Sequence, residues 1–266
     1  MKKLLLIILI VTGLNFESFN ALHINNQEYL HFRKIKNESF RVGEKLTYRL
    51  HYGIIDAGEA VLEVQESKIK AKGRNLFKVV GVGRSIRAFD WFFKVRDRYE
   101  SYIDTESIIP WFFIRRVNEG GYKIKQDYTL HQDLQFVDDG NNKINTPENI
   151  QDMLSAYYYA RTLDFQSAEI GDVFEFNTIV DEEIFPLKIK FLGREEIKIR
   201  TGKYKALKFC PVIQTGRVFQ KEEDLTVWVS DDKNKIPLCG KAKILFGSIK
   251  LELIKHEGLL NPIAKL

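Results

Sequence analysis

Residues 111–130, WFFIRRVNEGGYKIKQDYTL, alternate between apolar and polar side chains on both sides of a central Gly-Gly pair. Two adjacent glycines supply the positive φ angles that a tight two-residue hairpin turn requires. Counting outward from this turn pairs Phe113 with Tyr128 on an apolar face. That face also carries Arg115, whereas Arg116 lies on the opposite face and belongs in water. The segment therefore predicts a β-hairpin with one dry face that holds one cation.

The same period-two alternation recurs along the rest of the chain. It is present at positions 46–52, 60–64, 187–191, 225–229 and 249–253. Half-buried strands of this kind pair antiparallel more often than parallel. The sequence predicts a mainly β protein, with a strongly curved antiparallel sheet or a barrel-like fold. One main α-helix, at about 147–163, follows the start signal Thr146-Pro147-Glu148 and should pack on or into the sheet.

The N-terminus has the pattern of a bacterial export signal. Lys2 and Lys3 precede an apolar run of about ten residues, which is too short to span a membrane. We expect a signal peptide at 1–21, a mobile lead-in at 22–40, a single β-rich domain at 41–258 and a C-terminal tail at 259–266. No cysteine lies near the expected cleavage site, so the mature protein should be periplasmic or otherwise exported, not lipid-anchored, and membrane-peripheral at most.

Charge and cysteine content narrow the possible partners. The chain has 266 residues and a formal net charge of +5, with lysines interspersed among acids. This pattern does not favour nucleic-acid binding. Only Cys210 and Cys239 are present, and an exported protein could join them in a disulfide. Their spacing alone does not decide between a disulfide and two small core residues.

A buried ion pair is expected on the strand before the hairpin. The segment at 93–103 carries Asp97 on its apolar face, and a short turn at Thr105-Glu106-Ser107 would place Asp97 directly opposite Arg115. Burying either charge alone would be costly, so the two side chains should meet. The pair could fix the strand register, or it could anchor a ligand.

Motifs for common catalytic chemistry are absent from the sequence. There is no Gly-x-Ser-x-Gly, His-Glu-x-x-His, paired Cys-x-x-Cys or phosphate-binding glycine loop. We therefore predict no catalytic residue, no metal site and no cofactor. Asp152 and Arg161 flank the apolar stripe of the expected helix. They are predicted to be solvated or cap-related charges, or supporting polar residues of a binding site.

Several segments together resemble the exported bacterial family known as domain of unknown function 3108. The stretches that carry the resemblance are Val42-Gly43-Glu44-Lys45-Leu46-Thr47-Tyr48, Phe89-Asp90-Trp91-Phe92-Phe93, Arg96-Asp97-Arg98-Tyr99, Glu119-Gly120-Gly121-Tyr122, Gln151-Asp152, Tyr159-Ala160-Arg161 and Leu225-Thr226-Val227-Trp228. The resemblance implies a periplasmic β-rich protein with a curved or barrel-like sheet. It carries no known activity.

The leading functional hypothesis is a non-enzymatic binding or carrier module for an apolar small molecule or lipid. The residues expected to form its site are Tyr48, Leu62, Phe113, Tyr128, Asp97, Arg115 and Glu119. Alternatively, the aromatic side chains simply fill the interior, as in small barrels. Two other functions stay open, namely a glycan- or peptide-acting hydrolase that uses acids such as Asp97, Asp104 or Glu119, and a scaffold that binds an envelope protein.

Overall fold

The protein is dominated by one large antiparallel sheet. A computed structural model describes residues 32–91, 93–212, 225–244 and 247–266. The strands are β1 (Lys45–Tyr52), β2 (Ile55–Glu66), β3 (Leu76–Ser85), β4 (Arg96–Asp104), β5 (Pro110–Glu119), β6 (Tyr122–His131), β7 (Phe136–Asp138), β8 (Lys143–Asn145), β9 (Val173–Val180), β10 (Glu183–Ile199), β11 (Gly202–Val212), β12 (Leu225–Ser230), β13 (Pro237–Ile244) and β14 (Gly247–Glu257). The helices are α1 (Arg87–Asp90) and α2 (Met153–Ala160).

The sheet order is β8-β7-β6-β5-β4-β3-β2-β1-β14-β13-β12-β11-β10-β9. Each neighbouring pair is antiparallel, and β1 joins the two halves by pairing with β14. The strands at the two edges, β8 and β9, do not pair with each other. The predicted class, a mainly β protein with a curved antiparallel sheet, is confirmed.

The two ends of the sheet nevertheless meet. The main chain of Gln151 donates to the Asn177 carbonyl oxygen at 3.0 Å and accepts from the Ile179 amide at 2.9 Å, so the segment before α2 runs alongside β9. Side chains from both ends share one core cluster, in which Phe113 and Leu130 pack with Ile179. The sheet therefore curls around an interior without closing its hydrogen-bond ladder.

The hairpin of β5 and β6 has the register that the sequence predicts. Phe113 pairs with Tyr128, and Arg115 pairs with Gln126. Arg115 has 0% exposure, whereas the side chain of Arg116 is 39% exposed. The alternation therefore places one arginine inside and the next outside.

The main helix is shorter than the sequence pattern suggests. It begins after Asp152, whose carboxylate accepts hydrogen bonds from the amides of Leu154 and Ser155, both at 2.8 Å. The Ser155 hydroxyl in turn accepts from the Asp152 amide at 2.8 Å, which completes a capping box. Pro147 lies in the preceding loop, where Asn149 has a φ of +58°. The stronger, reciprocal cap sets the start of α2 and overrides the earlier Thr-Pro-Glu signal.

Both flanking segments pack against the sheet where the structure describes them. In the expected lead-in, Phe40 is 2% exposed, and Phe32 contacts Trp111 edge-on at 5.7 Å between ring centroids. In the expected tail, the Ala264 amide donates to Asp232 at 2.7 Å. Aromatic side chains at 32 and 40 thus attach the described part of the expected lead-in to the sheet. The expected signal peptide lies outside the described residues.

The two cysteines are core residues. Cys210 in β11 is 2% exposed and Cys239 in β13 is 1% exposed. The structure contains no disulfide bond between them. Burial raises the pKa of the Cys239 thiol, which favours the neutral form.

Candidate ligand cavity

The curled sheet encloses a cavity of about 510 Å³. Strands from both halves of the sheet line it together with α2, and most of the lining side chains are apolar. Representative residues are Leu62, Phe185, Leu187, Val227 and Leu251. These five side chains are only half-buried, because they face the cavity instead of packing against a neighbouring layer. Its size and apolar lining are typical of sites that hold small molecules.

Arg115 is one of the charged residues that line the cavity. Its side chain has 0% exposure, and its Nη1 donates to Asp181 Oδ1 at 2.5 Å. Asp181 lies in the turn between β9 and β10, where it has a φ of +50°. The buried Nε and Nη2 of Arg115 have no hydrogen-bond partner. The cavity therefore contains a guanidinium whose charge is paired but whose donors are only partly used.

Two carboxyl groups lie beside this arginine. Asp97 is 7% exposed and Glu119 is 5% exposed. Burial raises the pKa of both carboxyl groups. The neighbouring Asp97 raises the pKa of Glu119 further, to about 7. The positive charge of Arg115 opposes the shift in both groups. Asp97 also accepts a hydrogen bond from the Asn118 amide at 2.9 Å. At neutral pH the pair thus carries less than two full negative charges.

The predicted direct pairing of Asp97 with Arg115 is wrong. Arg115 lies opposite Tyr99 and forms its ion pair with Asp181. The connection between β4 and β5 is longer than the three-residue turn assumed, and the register shifts between Tyr102 and Ile103. The shift amounts to two residues, so both charged side chains still line the cavity as the alternation requires.

The other predicted site residues fall into two groups. Tyr48 and Leu62 line the cavity. Phe113 and Tyr128 instead pack within the cluster where the sheet ends meet, with their ring centroids 6.0 Å apart. The Tyr128 hydroxyl accepts a hydrogen bond from the Glu182 amide at 3.0 Å. Phe113 and Tyr128 therefore help to hold the curled shape next to the cavity.

The two helix-flanking charges are both buried, and neither is solvated. Asp152 caps α2 and accepts a hydrogen bond from the Ser101 hydroxyl at 2.5 Å. Burial raises the pKa of Asp152 to about 6, although these hydrogen bonds oppose the shift. Arg161 lines the cavity and forms a two-point ion pair with Glu44, at 2.6 and 2.7 Å. The charge of Arg161 is thus balanced by Glu44, whereas Asp152 is held by hydrogen bonds as the helix cap.

Sequence reasoning missed Asp181 and Glu44 as partners of the buried arginines. The dipeptide Asp181-Glu182 between two alternating segments is a turn signal that could have been recognised. Which strand this turn faces depends on how fourteen strands curl, and local spacing does not contain that information. Glu44 follows a glycine at the start of β1, and nothing near it indicates a partner at Arg161.

Two negative findings apply to the residues that the structure describes. No group of three or more His, Cys, Asp or Glu side chains is arranged to hold a metal ion. In the same part of the chain, no helix has the length and apolar character needed to cross a bilayer.

The fold and the cavity define the class of protein as an incompletely closed, β-barrel-like protein with an apolar interior. A family model for proteins of unknown function, DUF3108, matches residues 47–254, which is well over half of the chain. The chain therefore belongs to the DUF3108 family. A search of curated proteins found no match.

One solved structure supports the fold assignment, and a second is reported for comparison. A beta-barrel-like protein of domain of unknown function DUF1849 from Brucella abortus is 10% identical, with a TM-score of 0.53, and the match covers 82% of this chain and 99% of that one. The hypothetical protein CT021 from Chlamydia trachomatis is 8% identical, with a TM-score of 0.36, and the match covers 85% of this chain and 92% of that one. At 10% identity, the likeness to the DUF1849 protein concerns the fold alone.

Proposed function

We propose that this protein is an exported carrier or binding module of the cell envelope that holds an apolar small molecule or lipid chain in its cavity. The observation that carries the proposal is the set of half-buried apolar side chains around about 510 Å³ of space. An aromatic interior that merely filled the sheet would bury these side chains against one another. A ligand that occupied the space would complete their burial, at a gain of roughly 25 cal/mol for each Å² of apolar surface.

The export signal that the sequence predicts at residues 1–21 supports the proposed location. An apolar molecule needs a carrier to cross an aqueous compartment between membranes, because its free concentration in water is low. Fractionation of the native cells tests this part of the proposal. We expect the mature protein in the periplasmic fraction, and recovery in the cytoplasmic fraction with residues 1–21 retained would contradict it.

Gly83 offers a direct test of the cavity. It lines the cavity, and a Cβ built there would meet only the Cβ of Asp97, at an ordinary 3.8 Å. Gly83→Leu should therefore fill cavity space at small cost to the fold. The readout is fluorescence titration with the apolar probe N-phenyl-1-naphthylamine. We expect saturable binding by the wild type and a loss of about tenfold or more in affinity in Gly83→Leu.

Lys123→Leu provides the control. Lys123 is exposed in β6, opposite Asn118 on the outer face of the hairpin, and does not line the cavity. Lys123→Leu should bind the probe as the wild type does, because it adds a leucine outside the cavity. Absence of saturable binding by the wild type, or equal affinity in folded Gly83→Leu, would refute the proposed function.

The Asp97 and Glu119 pair favours a second candidate, a hydrolase that uses carboxylates. Adjacent carboxyl groups with raised pKa values resemble acid and base pairs in enzymes. Their burial, at 7% and 5% exposure, leaves little access for a glycan or peptide chain. Incubation of the wild type and Glu119→Gln with purified cell-wall glycan and with peptide tests this candidate. Product formation by the wild type that Glu119→Gln abolishes would support it over the carrier.

A further inference from the structure

Large apolar side chains are exposed on three turns at one end of the sheet. Because neighbouring strands run in opposite directions, the β1–β2, β3–β4 and β5–β6 connections all lie at the same end. The exposed side chains there are Ile54 at 100%, Ile55 at 57%, Trp91 at 84% and Tyr122 at 56%. We call these four residues the apolar rim. Grouped exposed apolar side chains of this size mark a surface that binds a partner.

Main-chain hydrogen bonds join the turns of the apolar rim to one another and to β14. The bonds run from amide to carbonyl oxygen, from Gly53 to Ser248 at 2.9 Å, from Ile86 to Ala57 at 3.1 Å and from Gly120 to Lys94 at 2.9 Å. Backbone pairing of this kind fixes the turns relative to the strands that they connect. The apolar rim is therefore one continuous arc along the end of the sheet.

The cavity reaches the same end of the sheet. Gly58, Ser85 and Val95 line it and lie next to the turns that carry Ile54 and Trp91. The helix α2 lies toward the opposite end, where Arg161 ties it by side-chain bonds to Glu44 before β1 and to Asn234 in the β12–β13 connection. The apolar rim thus borders the end of the cavity that is remote from these anchors of α2.

The charges along the arc favour an anionic partner. Lys94 and Lys243 are exposed, and Lys243 lies opposite Ser248 at the β13–β14 turn, next to the turn that carries Ile54. The acids of this part of the arc are held in ion pairs, namely Asp56 with Arg49 at 3.7 Å, Glu59 with Arg84 at 2.7 Å and Asp90 with Arg96 at 2.6 Å. Glu182 and Glu183 are exposed acids at the same end. They lie at the β9–β10 turn, beyond the β5–β6 turn from Ile54.

The side chains of the apolar rim match the interface of a lipid bilayer. Tryptophan and tyrosine are enriched at the level of the head groups, where an amphipathic ring contacts both water and hydrocarbon. Exposed isoleucines gain free energy when they enter the acyl boundary. Lysines near the surface are attracted by anionic lipids.

We propose that the apolar rim docks on a bilayer that contains anionic phospholipids, with Ile54 and Trp91 inserted among the head groups. Docking in this orientation turns the end of the cavity toward the membrane. The inference rests on the proposed function in one respect, because the membrane is then the source or the destination of the apolar molecule that the cavity holds.

The test is co-sedimentation with vesicles made of equal parts of phosphatidylethanolamine and phosphatidylglycerol, compared with vesicles of phosphatidylcholine alone. We expect the wild type to bind the anionic vesicles more tightly, and added salt to weaken that binding. The double variant Ile54→Ser with Trp91→Ser should lose about tenfold or more in affinity for these vesicles. Leu134→Ser is the control and should bind as the wild type does. Leu134 is 61% exposed in the connection between β6 and β7, at the other end of the sheet.

Tryptophan fluorescence of the wild type reports the orientation. Trp91 is 84% exposed, whereas Trp111 and Trp228 are 3% and 8% exposed. Exclusion of water shifts indole emission to shorter wavelengths, so a blue shift on addition of anionic vesicles reports insertion of Trp91. Vesicle binding with unchanged emission would overturn the proposed orientation.

Other outcomes are equally decisive. Absence of binding to anionic vesicles by the wild type, or equal losses in Leu134→Ser and the double variant, would overturn the inference. Sedimentation velocity without vesicles tests a second copy as the occupant, and a dimer that the double variant loses would also overturn it. A wild type that binds N-phenyl-1-naphthylamine but no vesicles would refute the docking surface alone. Rim-dependent vesicle binding without binding of the probe would refute the carrier and still support the docking surface.

Discussion

Arg161 and Glu44 form an ion pair that is closed off from water, with side-chain exposures of 2% and 0%. Arg161 also donates to the carbonyl oxygens of Ser39 at 3.0 Å and Asn234 at 2.8 Å. The guanidinium thereby ties the segment before β1 and the β12–β13 connection to the end of α2. Burying two charges is costly, so the pair stabilises the fold only while both partners are present.

Glu44→Gln should be strongly destabilising. The substitution keeps the size of the side chain but leaves the Arg161 charge buried without a counter-charge. We expect the free energy of unfolding to fall by about 3–5 kcal/mol, measured by denaturant titration. Asp127→Asn is the control, because Asp127 pairs with Arg116 at the surface, with 63% exposure. It should cost at most about 1 kcal/mol. Similar losses of unfolding free energy in the two variants would show that the buried ion pair stabilises the fold no more than the surface pair does.

Glu119 should make stability depend on pH. Its pKa rises from an ordinary 4.5 to about 7 in the folded protein, because of burial and the neighbouring Asp97. The folded state then binds the proton more tightly than the unfolded chain. This contribution is complete below about pH 4.5 and is lost as the pH rises through about 7. The free energy of unfolding should therefore decline across that interval.

Glu119→Gln should reduce this decline, because glutamine stays neutral at every pH. The measurement is the midpoint of thermal unfolding at several pH values between about 5 and 8. Part of the slope should remain, since burial also raises the pKa values of Asp97 and Asp152. Glu148→Gln, in an exposed loop, is the control and should keep the wild-type slope. An unchanged slope in Glu119→Gln would contradict the raised pKa.

The β5–β6 hairpin depends on its two glycines. Gly120 has a φ of +55° and Gly121 a φ of +92°, both in the region that L side chains rarely adopt. A Cβ at Gly120 would lie 2.5 Å from Cε2 of Phe93, whereas a Cβ at Gly121 would meet nothing within 4 Å. A side chain would thus strain the backbone at both positions, but only at Gly120 would its Cβ also collide with Phe93.

Alanine at each position should separate these two effects. Gly121→Ala should lower the free energy of unfolding by about 1–2 kcal/mol, through backbone strain alone. Gly120→Ala should cost more, because the half-buried Phe93 ring must also move. Denaturant titration of both variants gives the comparison. A smaller loss for Gly120→Ala than for Gly121→Ala would show that the Phe93 contact is unimportant.

The β5–β6 hairpin and α2 differ in how well local sequence predicts them. The hairpin register was predictable because the Gly-Gly turn and the alternation agree over several residue pairs. The start of α2 was not, because Thr146-Pro147-Glu148 and Asp152 with Ser155 both resemble helix caps. Only the second forms the reciprocal hydrogen bonds. Where two local signals compete, tertiary burial decides, and Asp152 is fully buried.

The fourteen-stranded sheet curls until its two ends share a core but not a hydrogen-bond ladder. Main-chain bonds of Gln151 and the pairing of Arg115 with Asp181 connect the two ends. The alternation predicted that Arg115 points inward, and that is confirmed. Its partner could not be predicted, because Asp181 is 66 residues away and its approach depends on the total curl of fourteen strands. The same curl creates the cavity, so the sequence could suggest an interior space but could not establish its presence or size.

The most direct test of the carrier is native mass spectrometry of the protein purified from its own cell envelope without detergent. We expect one apolar molecule bound per chain in the wild type and in Lys123→Leu. Gly83→Leu, with its cavity filled, should carry none. A wild-type protein that carries no such molecule and takes up none from an added lipid extract would contradict the account.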